Sequence, residues 1–167
     1  SDLTLDLRTP GGKRAFERLV ETADVVLSNF SPGTLERWGL GHDELSRINP
    51  RIIWAAGSYL GPLGAEASRE GADLVGQAMG GVISTTGDDG GPMTPVAALL
   101  ADHSGAQNLT IGILAALMAR TTTGRGQRVD VSLLGSQIWA QAFEYTHLFV
   151  TGEIARSEEH TSELQSP

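Results

Sequence analysis

Asp102 is the residue whose type and position in the sequence could support covalent chemistry. It follows the apolar run Leu99-Leu100-Ala101 and precedes the most apolar segment of the chain. A carboxylate is electrostatically favoured at a helix N-terminus, and the amides there can also stabilise a developing oxyanion. We therefore expect a helix that begins within two residues of Asp102, beside a cleft. A carboxylate can act as a nucleophile or merely cap a helix, and position alone leaves both roles open.

Other motifs that carry chemistry are absent from the sequence. The chain has no cysteine, which excludes disulfides, thiolate zinc sites and a cysteine nucleophile. The histidines show no His-Glu-x-x-His spacing, so no metal site is predicted. Ala56-Gly57-Ser58-Tyr59-Leu60 lacks the second glycine of a serine-hydrolase motif. A dinucleotide-dependent dehydrogenase is also disfavoured, because neither a Gly-x-Gly-x-x-Gly motif nor a Walker lysine is present.

Composition narrows the class of protein further. The 167 residues fit one domain or a piece of a larger one, and a hydrophobic share of 40% is enough for a packed core. The net charge of −8 argues against binding to nucleic acid or to an anionic membrane surface. No stretch reaches the ~18 apolar residues of a membrane-spanning helix, and residues 1–7 show no export signal. The expected location is the cytoplasm.

The periodicity of apolar residues predicts an α/β fold. Its elements alternate in a way that is typical of a mostly parallel, Rossmann-like sheet with crossover helices. The segment 106–120 is apolar on nearly all sides, so we expect a buried helix there. The predicted strands are residues 3–7, 24–28, 51–58 and 127–131, and the predicted helices are residues 9–23, 31–38, 42–48, 71–83, 106–120 and 132–150.

Both ends of the sequence are unusual. The first predicted strand begins almost at once, which indicates a chain cut inside a larger protein. Residues 156–167 are polar and without periodicity, and Leu164 is their one large apolar residue. Back-translation of residues 156–166 gives a common adapter oligonucleotide of DNA sequencing. We therefore expect residues 156–167 to be a non-native tail that packs against nothing.

A series of motifs in a fixed order runs from residue 3 to residue 155. They are Leu5-Asp6-Leu7-Arg8-Thr9-Pro10, Ala23-Asp24-Val25-Val26, Asn29-Phe30-Ser31-Pro32-Gly33-Thr34-Leu35-Glu36-Arg37-Trp38-Gly39-Leu40-Gly41, Asn49-Pro50-Arg51-Ile52-Ile53, Gly71-Ala72-Asp73-Leu74, Ala101-Asp102, Gly112-Ile113-Leu114-Ala115-Ala116-Leu117 and Thr123-Gly124-Arg125-Gly126-Gln127-Arg128-Val129-Asp130-Val131-Ser132-Leu133-Leu134. The series resembles the class III (family III) CoA transferases, a family that includes formyl-CoA transferase, carnitine CoA-transferase and the α-methylacyl-CoA racemases.

The resemblance implies a particular domain organisation. Residues 1–155 would be the central part of the large domain of a longer enzyme. That enzyme would be an interlocked homodimer in which two ring-shaped subunits thread each other. The first CoA-binding strand–helix unit, the small domain and a glycine-rich covering loop would lie outside this sequence, so the segment alone is expected to be inactive.

The resemblance also implies the site residues and the substrates. Asp102 matches the catalytic aspartate, which forms covalent aspartyl intermediates while CoA moves from an acyl-CoA donor to a carboxylic acid. Arg37 matches an arginine that contacts the nucleotide portion of CoA, where a guanidinium suits phosphate oxygens. Coenzyme A would be a substrate, and no prosthetic group or metal is implied.

Position 72 is where the sequence departs from the racemases of the family. Those enzymes have histidine in a Gly-His-Asp triplet, whereas this chain has Gly71-Ala72-Asp73. Alanine cannot move a proton, so the sequence favours a transferase over a racemase-like isomerase. A non-catalytic module that binds CoA or a nucleotide is a further alternative, and the carboxylate of Asp102 argues against it.

Overall fold

The structure is a computed structural model that describes residues 2–87 and 91–154. A three-stranded parallel sheet forms its centre, in the order β1 (Val25–Ser28), β2 (Ile53–Ser58) and β3 (Arg128–Ser132). The middle strand pairs with both neighbours, with Val25 opposite Ile53 and Trp54 opposite Arg128. The helices are α1 (Pro10–Val20), α2 (Thr34–Arg37), α3 (His42–Ile48), α4 (Asp73–Met79), α5 (Val82–Thr85), α6 (Leu100–Thr123), α7 (Leu133–Ala140) and α8 (Ala142–Thr151).

This architecture confirms the predicted α/β class. Parallel neighbours need a crossover connection, because the chain must return to the same end of the sheet. Here α2 and α3 connect β1 to β2, and α4, α5 and α6 connect β2 to β3. The caps read from the sequence are also present: Thr9 Oγ1 accepts from Gly12 N–H at 3.1 Å, and Ser132 Oγ accepts from Gly135 N–H at 2.9 Å.

One face of the sheet packs against α1, α2 and α3. Trp54 of β2 is buried there, and its indole Nε1–H donates to the carbonyl of Leu40 at 3.3 Å. Burial of this apolar surface is the main stabilising contribution on this side. The buried side chains of the cluster are Val20, Val26, Leu35, Leu40, Leu45, Ile52 and Trp54.

The opposite face packs against α6. Glycines permit a close approach, since a Cβ on Gly112 would lie 2.7 Å from Val129 Cγ1. The helix begins at Leu100, within two residues of Asp102 as expected. This is six residues before the start indicated by apolar periodicity, because the polar residues 102–104 interrupt the apolar pattern. The expected burial on all sides is wrong: Ile111, Leu114 and Met118 are exposed. The described residues cover only one side of α6.

Three further predictions differ from the structure. Residues 3–7 form no strand, because no neighbouring strand lies beside them among the described residues and an isolated strand leaves its backbone groups unpaired. The helix predicted over 71–83 is divided at Gly81, whose φ of 86° lies in the left-handed region. The helix predicted over 132–150 is divided into α7 and α8 at Gln141.

The proposed non-native tail, residues 156–167, lies outside the described residues.

The turn before β3 generates a stability prediction. Gly126 N–H donates to the Pro50 carbonyl at 2.9 Å, and a Cβ on Gly126 would collide with the Ile52 carbonyl. We expect Gly126→Ala to lower the free energy of unfolding by about 2 kcal/mol or more, because backbone must move to accommodate the methyl group. Urea denaturation measures this change.

Gly11→Ala is the matched control. It lies in α1 with no atom within 4 Å of an added Cβ. This substitution should leave stability unchanged or raise it by about 0.5–1 kcal/mol, since alanine favours the helix. Equal effects of the two substitutions would contradict the close approach at Gly126.

Candidate active site

Asp102 lies in the first turn of α6, where its exposed side chain lines a cleft of about 520 Å³. This confirms the expected placement of the residue at a helix start beside a cleft. The cleft is at the carboxyl edge of the sheet, the usual position for ligand binding in open α/β sheets. Its lining residues are Asn29, Gly57, Ser58, Tyr59, Gly71, Ala72, Asp102, Gly105, Ala106, Leu109, Val131 and Leu133.

The cap of α6 is Asp73, not Asp102. One carboxylate oxygen of Asp73, Oδ1, accepts from Ala101 N–H at 2.7 Å and from Asp102 N–H at 3.0 Å. Asp73 is the first residue of α4 and is only 7% exposed. The suggestion that Asp102 itself caps the helix is therefore replaced by a contact from another helix.

The same contacts exclude the oxyanion role considered for the first amides of α6. Ala101 and Asp102 donate to Asp73, as described above. Leu100 N–H donates to the Ala98 carbonyl at 2.7 Å, and His103 N–H donates to the Leu99 carbonyl at 2.9 Å. All four amides that open the helix have acceptors within the protein, so an oxyanion in the cleft needs other donors.

Gln77 holds the Asp73 carboxylate from one turn further along α4. Its Nε2–H donates to Asp73 Oδ2 at 2.7 Å, and its Oε1 accepts from Val96 N–H at 3.0 Å. Gln77 is itself only 1% exposed. The buried charge of Asp73 is tolerated because it has hydrogen-bond partners such as this one. Gly76 lets the helices approach, since a Cβ there would lie 2.8 Å from Ala101 Cβ. The first turn of α6 is thus fixed to α4.

Tyr59 and Ala72 form part of the cleft wall. The Tyr59 hydroxyl donates to Met79 Sδ at 3.1 Å, and burial raises the pKa of the phenol above its ordinary value. Ala72 lines the cleft together with Asp102, so a methyl group occupies the position of the racemase histidine. His103 is not among the lining residues of this cleft.

A second hollow, of about 540 Å³, lies around Arg128, between the start of α2 and the loop that follows β2. The Arg128 guanidinium stacks 4.6 Å from the centre of the Trp54 ring and pairs with Asp130 at 2.6 Å and Glu36 at 3.4 Å. Its hydrogen bond to Asp130 raises the pKa of Arg128 further. Ser58, at the end of β2, lines both a smaller pocket beside this hollow and the Asp102 cleft.

Arg37 lies away from Asp102. Its side chain is exposed on α2, where Nη2–H donates to Thr34 Oγ1 at 2.9 Å. It is not among the lining residues of the Asp102 cleft. A Cβ on Gly33, which lines the Arg128 hollow, would lie 3.1 Å from Arg37 Nη1. The Arg37 guanidinium thus lies beside Gly33, although Arg37 itself is not among the residues that line the second hollow.

Neither a metal-binding cluster nor a membrane-spanning helix is found within residues 2–87 and 91–154. In these ranges no group of three or more His, Cys, Asp or Glu side chains is placed to hold a metal ion. None of the helices in these ranges has the length and apolar character needed to cross a membrane.

The fold and the cleft define an α/β domain that presents a carboxylate at the carboxyl edge of a parallel sheet. The sequence pattern of CoA-transferase family III matches residues 1–166. The chain therefore belongs to CoA-transferase family III, as its motifs predicted.

Two relatives illustrate the similarity. The succinyl-CoA–L-malate CoA-transferase beta subunit of Chloroflexus aurantiacus is 43% identical over 135 residues, which cover 80% of this chain and 33% of that protein. The formyl-CoA:oxalate CoA-transferase of Streptomyces avermitilis is 40% identical over 131 residues, covering 78% of this chain and 32% of that protein. This chain thus spans about a third of the length of the curated relatives it matches.

A solved structure supports the same fold. The crystal structure of a CaiB/BaiF family protein from Brucella suis superimposes with a TM-score of 0.87 at 32% sequence identity. The match covers 92% of this chain and 41% of that protein.

Sequence reasoning did not identify the supporting role of Asp73 and Gln77. The available signal was their spacing: residues four apart on a helix lie on the same face, and two buried polar side chains there require polar partners. The partner amides of Ala101 and Asp102 lie 28 and 29 positions away in sequence. No local pattern connects the two segments.

The cleft wall generates a titration prediction. The chain has two tyrosines, Tyr59 and Tyr145. Because the folded pKa of Tyr59 is raised above its unfolded value, the folded state retains this proton more tightly. The contribution of this raised pKa to the free energy of unfolding is fully present below the unfolded pKa, about 10. It is lost as pH rises through the folded pKa. Ultraviolet titration of phenolate should show a late component that disappears in Tyr59→Phe. An unchanged titration curve in that variant would refute the assignment.

Proposed function

We propose that this segment carries the nucleophile of an enzyme that moves CoA from an acyl-CoA donor to a carboxylic acid. Family membership supports the proposal, as do the names of the relatives, which include succinyl-CoA–L-malate and formyl-CoA:oxalate CoA-transferases. The observation that carries it is the position of Asp102: an exposed carboxylate in a cleft, at the start of a helix whose capping is already provided by Asp73.

The proposed reaction proceeds through covalent intermediates on Asp102. A carboxylate oxygen attacks the thioester carbonyl, the C–S bond breaks, and CoA thiolate leaves an acyl–aspartyl anhydride. The thiolate then attacks the aspartyl carbonyl carbon, which releases the donor acid and forms an aspartyl-CoA thioester. The acceptor carboxylate reverses the sequence: it displaces CoA thiolate to form a new anhydride. Attack of the thiolate on the acceptor's acyl carbon then gives the new acyl-CoA and restores Asp102.

Arg37 is proposed to contact the nucleotide end of CoA. Its exposed guanidinium, beside Gly33, is available to phosphate oxygens, for which its planar set of donors is suited. CoA is a long molecule whose thioester and nucleotide are at opposite ends. Separate positions for Asp102 and Arg37 are therefore compatible with one bound substrate.

Ala72 argues for transfer over racemisation. Racemisation at the α-carbon requires a proton donor and acceptor on opposite faces, and the methyl group of Ala72 can supply neither. The alternative of a binding module without catalysis leaves the exposed carboxylate of Asp102 without a role.

The active enzyme is proposed to be longer than this chain. We place it in the cytoplasm as an interlocked homodimer, with further segments that bind CoA and cover the cleft. Anhydride and thioester intermediates are sensitive to water, so an open cleft favours hydrolysis over transfer. The 167-residue chain alone is accordingly expected to be inactive in transfer.

The decisive experiment replaces the nucleophile in the full-length enzyme. Asp102→Asn has nearly the same shape but lacks the anionic oxygen, so transfer should fall by roughly three orders of magnitude or more. Incubation with labelled acyl-CoA, followed by hydroxylamine and mass spectrometry, should detect modification at position 102 only in the parent.

His103→Asn is the matched control, since His103 is the adjacent exposed residue and does not line the cleft. It should retain transfer and trapping. Transfer by Asp102→Asn at a rate near that of the parent, or rapid transfer by the 167-residue chain alone, would show the proposal to be wrong.

The role of Arg37 predicts a change in substrate affinity. Arg37→Gln should raise the KM for acyl-CoA about tenfold and leave kcat within about twofold, because a charged hydrogen bond to phosphate is lost far from the reacting atoms. Steady-state kinetics measures both constants. Arg47→Gln, at an exposed arginine of α3, is the control and should change neither. Equal KM values in the two variants would remove Arg37 from the CoA site.

A further inference from the structure

The first turn of α6 is held by a more elaborate set of contacts than a helix end requires. A serine or threonine at the N-cap would satisfy one amide. Here a carboxylate from another helix binds two amides and is itself held by Gln77. Asp73 and Gln77 are both buried. We propose that Asp73 is a positioning residue for Asp102, an inference that rests on the proposed function of Asp102 as nucleophile.

The contact reaches the nucleophile directly. One of the two amides bound by Asp73 Oδ1 is that of Asp102 itself, at 3.0 Å, and the other is that of Ala101, which is completely buried. The peptide from which the reactive side chain projects is therefore attached to α4. Gly76 lets the Ala101 methyl group pack against the α4 backbone, so the position of Asp102 depends on this junction between α4 and α6.

The contact also separates two tasks that one carboxylate could not perform together. A carboxylate that caps a helix directs its oxygens at the amides, where they are less available to attack a thioester. Because Asp73 satisfies the amides of Ala101 and Asp102, the oxygens of Asp102 can face the cleft. Asp73 stabilises the start of the helix, and Asp102 is exposed to substrate.

A carboxylate at position 73 is required by the donors around it. Ala101 N–H, Asp102 N–H and Gln77 Nε2–H all point to its two oxygens, and an ionised carboxylate is an acceptor only. In Asp73→Asn, one of the two positions becomes an NH₂ group that faces a donor. If the NH₂ group faces Gln77, that contact is lost; if it faces the two amides, both cap bonds are lost. Either arrangement loosens the first turn of α6.

The test compares Asp73→Asn with the parent in the full-length enzyme. We expect kcat to fall about 10- to 100-fold with the KM for acyl-CoA within about twofold, because displacement of a reacting group by about 1 Å has an effect of this size. The yield of hydroxylamine-trapped Asp102 per folded molecule should fall in parallel. Hydrogen exchange at the amides of Ala101 and Asp102 should become faster, which reports the loss of the cap directly.

Gln141→Leu is the matched control for loss of stability. Gln141 is equally buried, and its Nε2–H donates to the carbonyl of Gly80 at the end of α4, away from the first turn of α6. The variant should lower the free energy of unfolding while kcat, measured per folded molecule, stays near that of the parent. A merely structural role of Asp73 would give the same result in Asp73→Asn.

Gln77→Met keeps the carboxylate but removes one of its supports, and it decides the question if Asp73→Asn does not fold. We expect an intermediate loss of kcat, about 3- to 10-fold, again without a change in KM. A kcat near that of the parent in folded Asp73→Asn, or in Gln77→Met when the first variant is unfolded, would overturn the inference while Asp102→Asn remained inactive. A fully active Asp102→Asn would instead overturn both proposals.

Discussion

Parallel pairing of β2 with both β1 and β3 brings together residues that are far apart in the sequence. In a parallel sheet all strands end at one edge, so Asn29, Ser58 and Val131 meet there although about a hundred residues separate the first from the last. The crossover through α4, α5 and α6 must return to the opposite edge, and this return places the start of α6 beside the strand ends. The cleft is a consequence of this chain topology, and its chemistry depends on which residue opens α6.

Two carboxylates with different surroundings lie at the start of α6. Asp73 is buried and fully engaged by amides and by Gln77, whereas Asp102 is exposed and faces the cleft. Burial of a carboxylate is unfavourable unless hydrogen bonds replace its water, and the partial positive charge of the helix start favours both groups. The same helix end thus binds a buried carboxylate and presents an exposed one to the cleft.

Local patterns in the sequence predicted much of the fold and the location of Asp102. Caps such as Thr9 and Ser132 depend on residues three positions away, so they can be read from short segments. The strand predicted over residues 3–7 failed because a strand requires a neighbour, which no local pattern supplies. The cap by Asp73 was not predicted for a related reason: its partners are distant in sequence, and only packing through Gly76 brings them together.

The far end of α6 is also attached to the rest of the domain. Arg120 Nη2 pairs with Asp24 Oδ1 at 2.7 Å, and its Nη1 donates to the Arg51 carbonyl at 2.9 Å, which fixes the helix to the loops before β1 and β2. Asp102 and Arg120 lie 18 residues apart in α6, which is about 27 Å at 1.5 Å per residue. A tilt of the helix by about 1° at Arg120 would displace the Asp102 end by roughly 0.5 Å. The contacts of Arg120 at the opposite edge of the sheet therefore also bear on where the Asp102 carboxylate lies in the cleft.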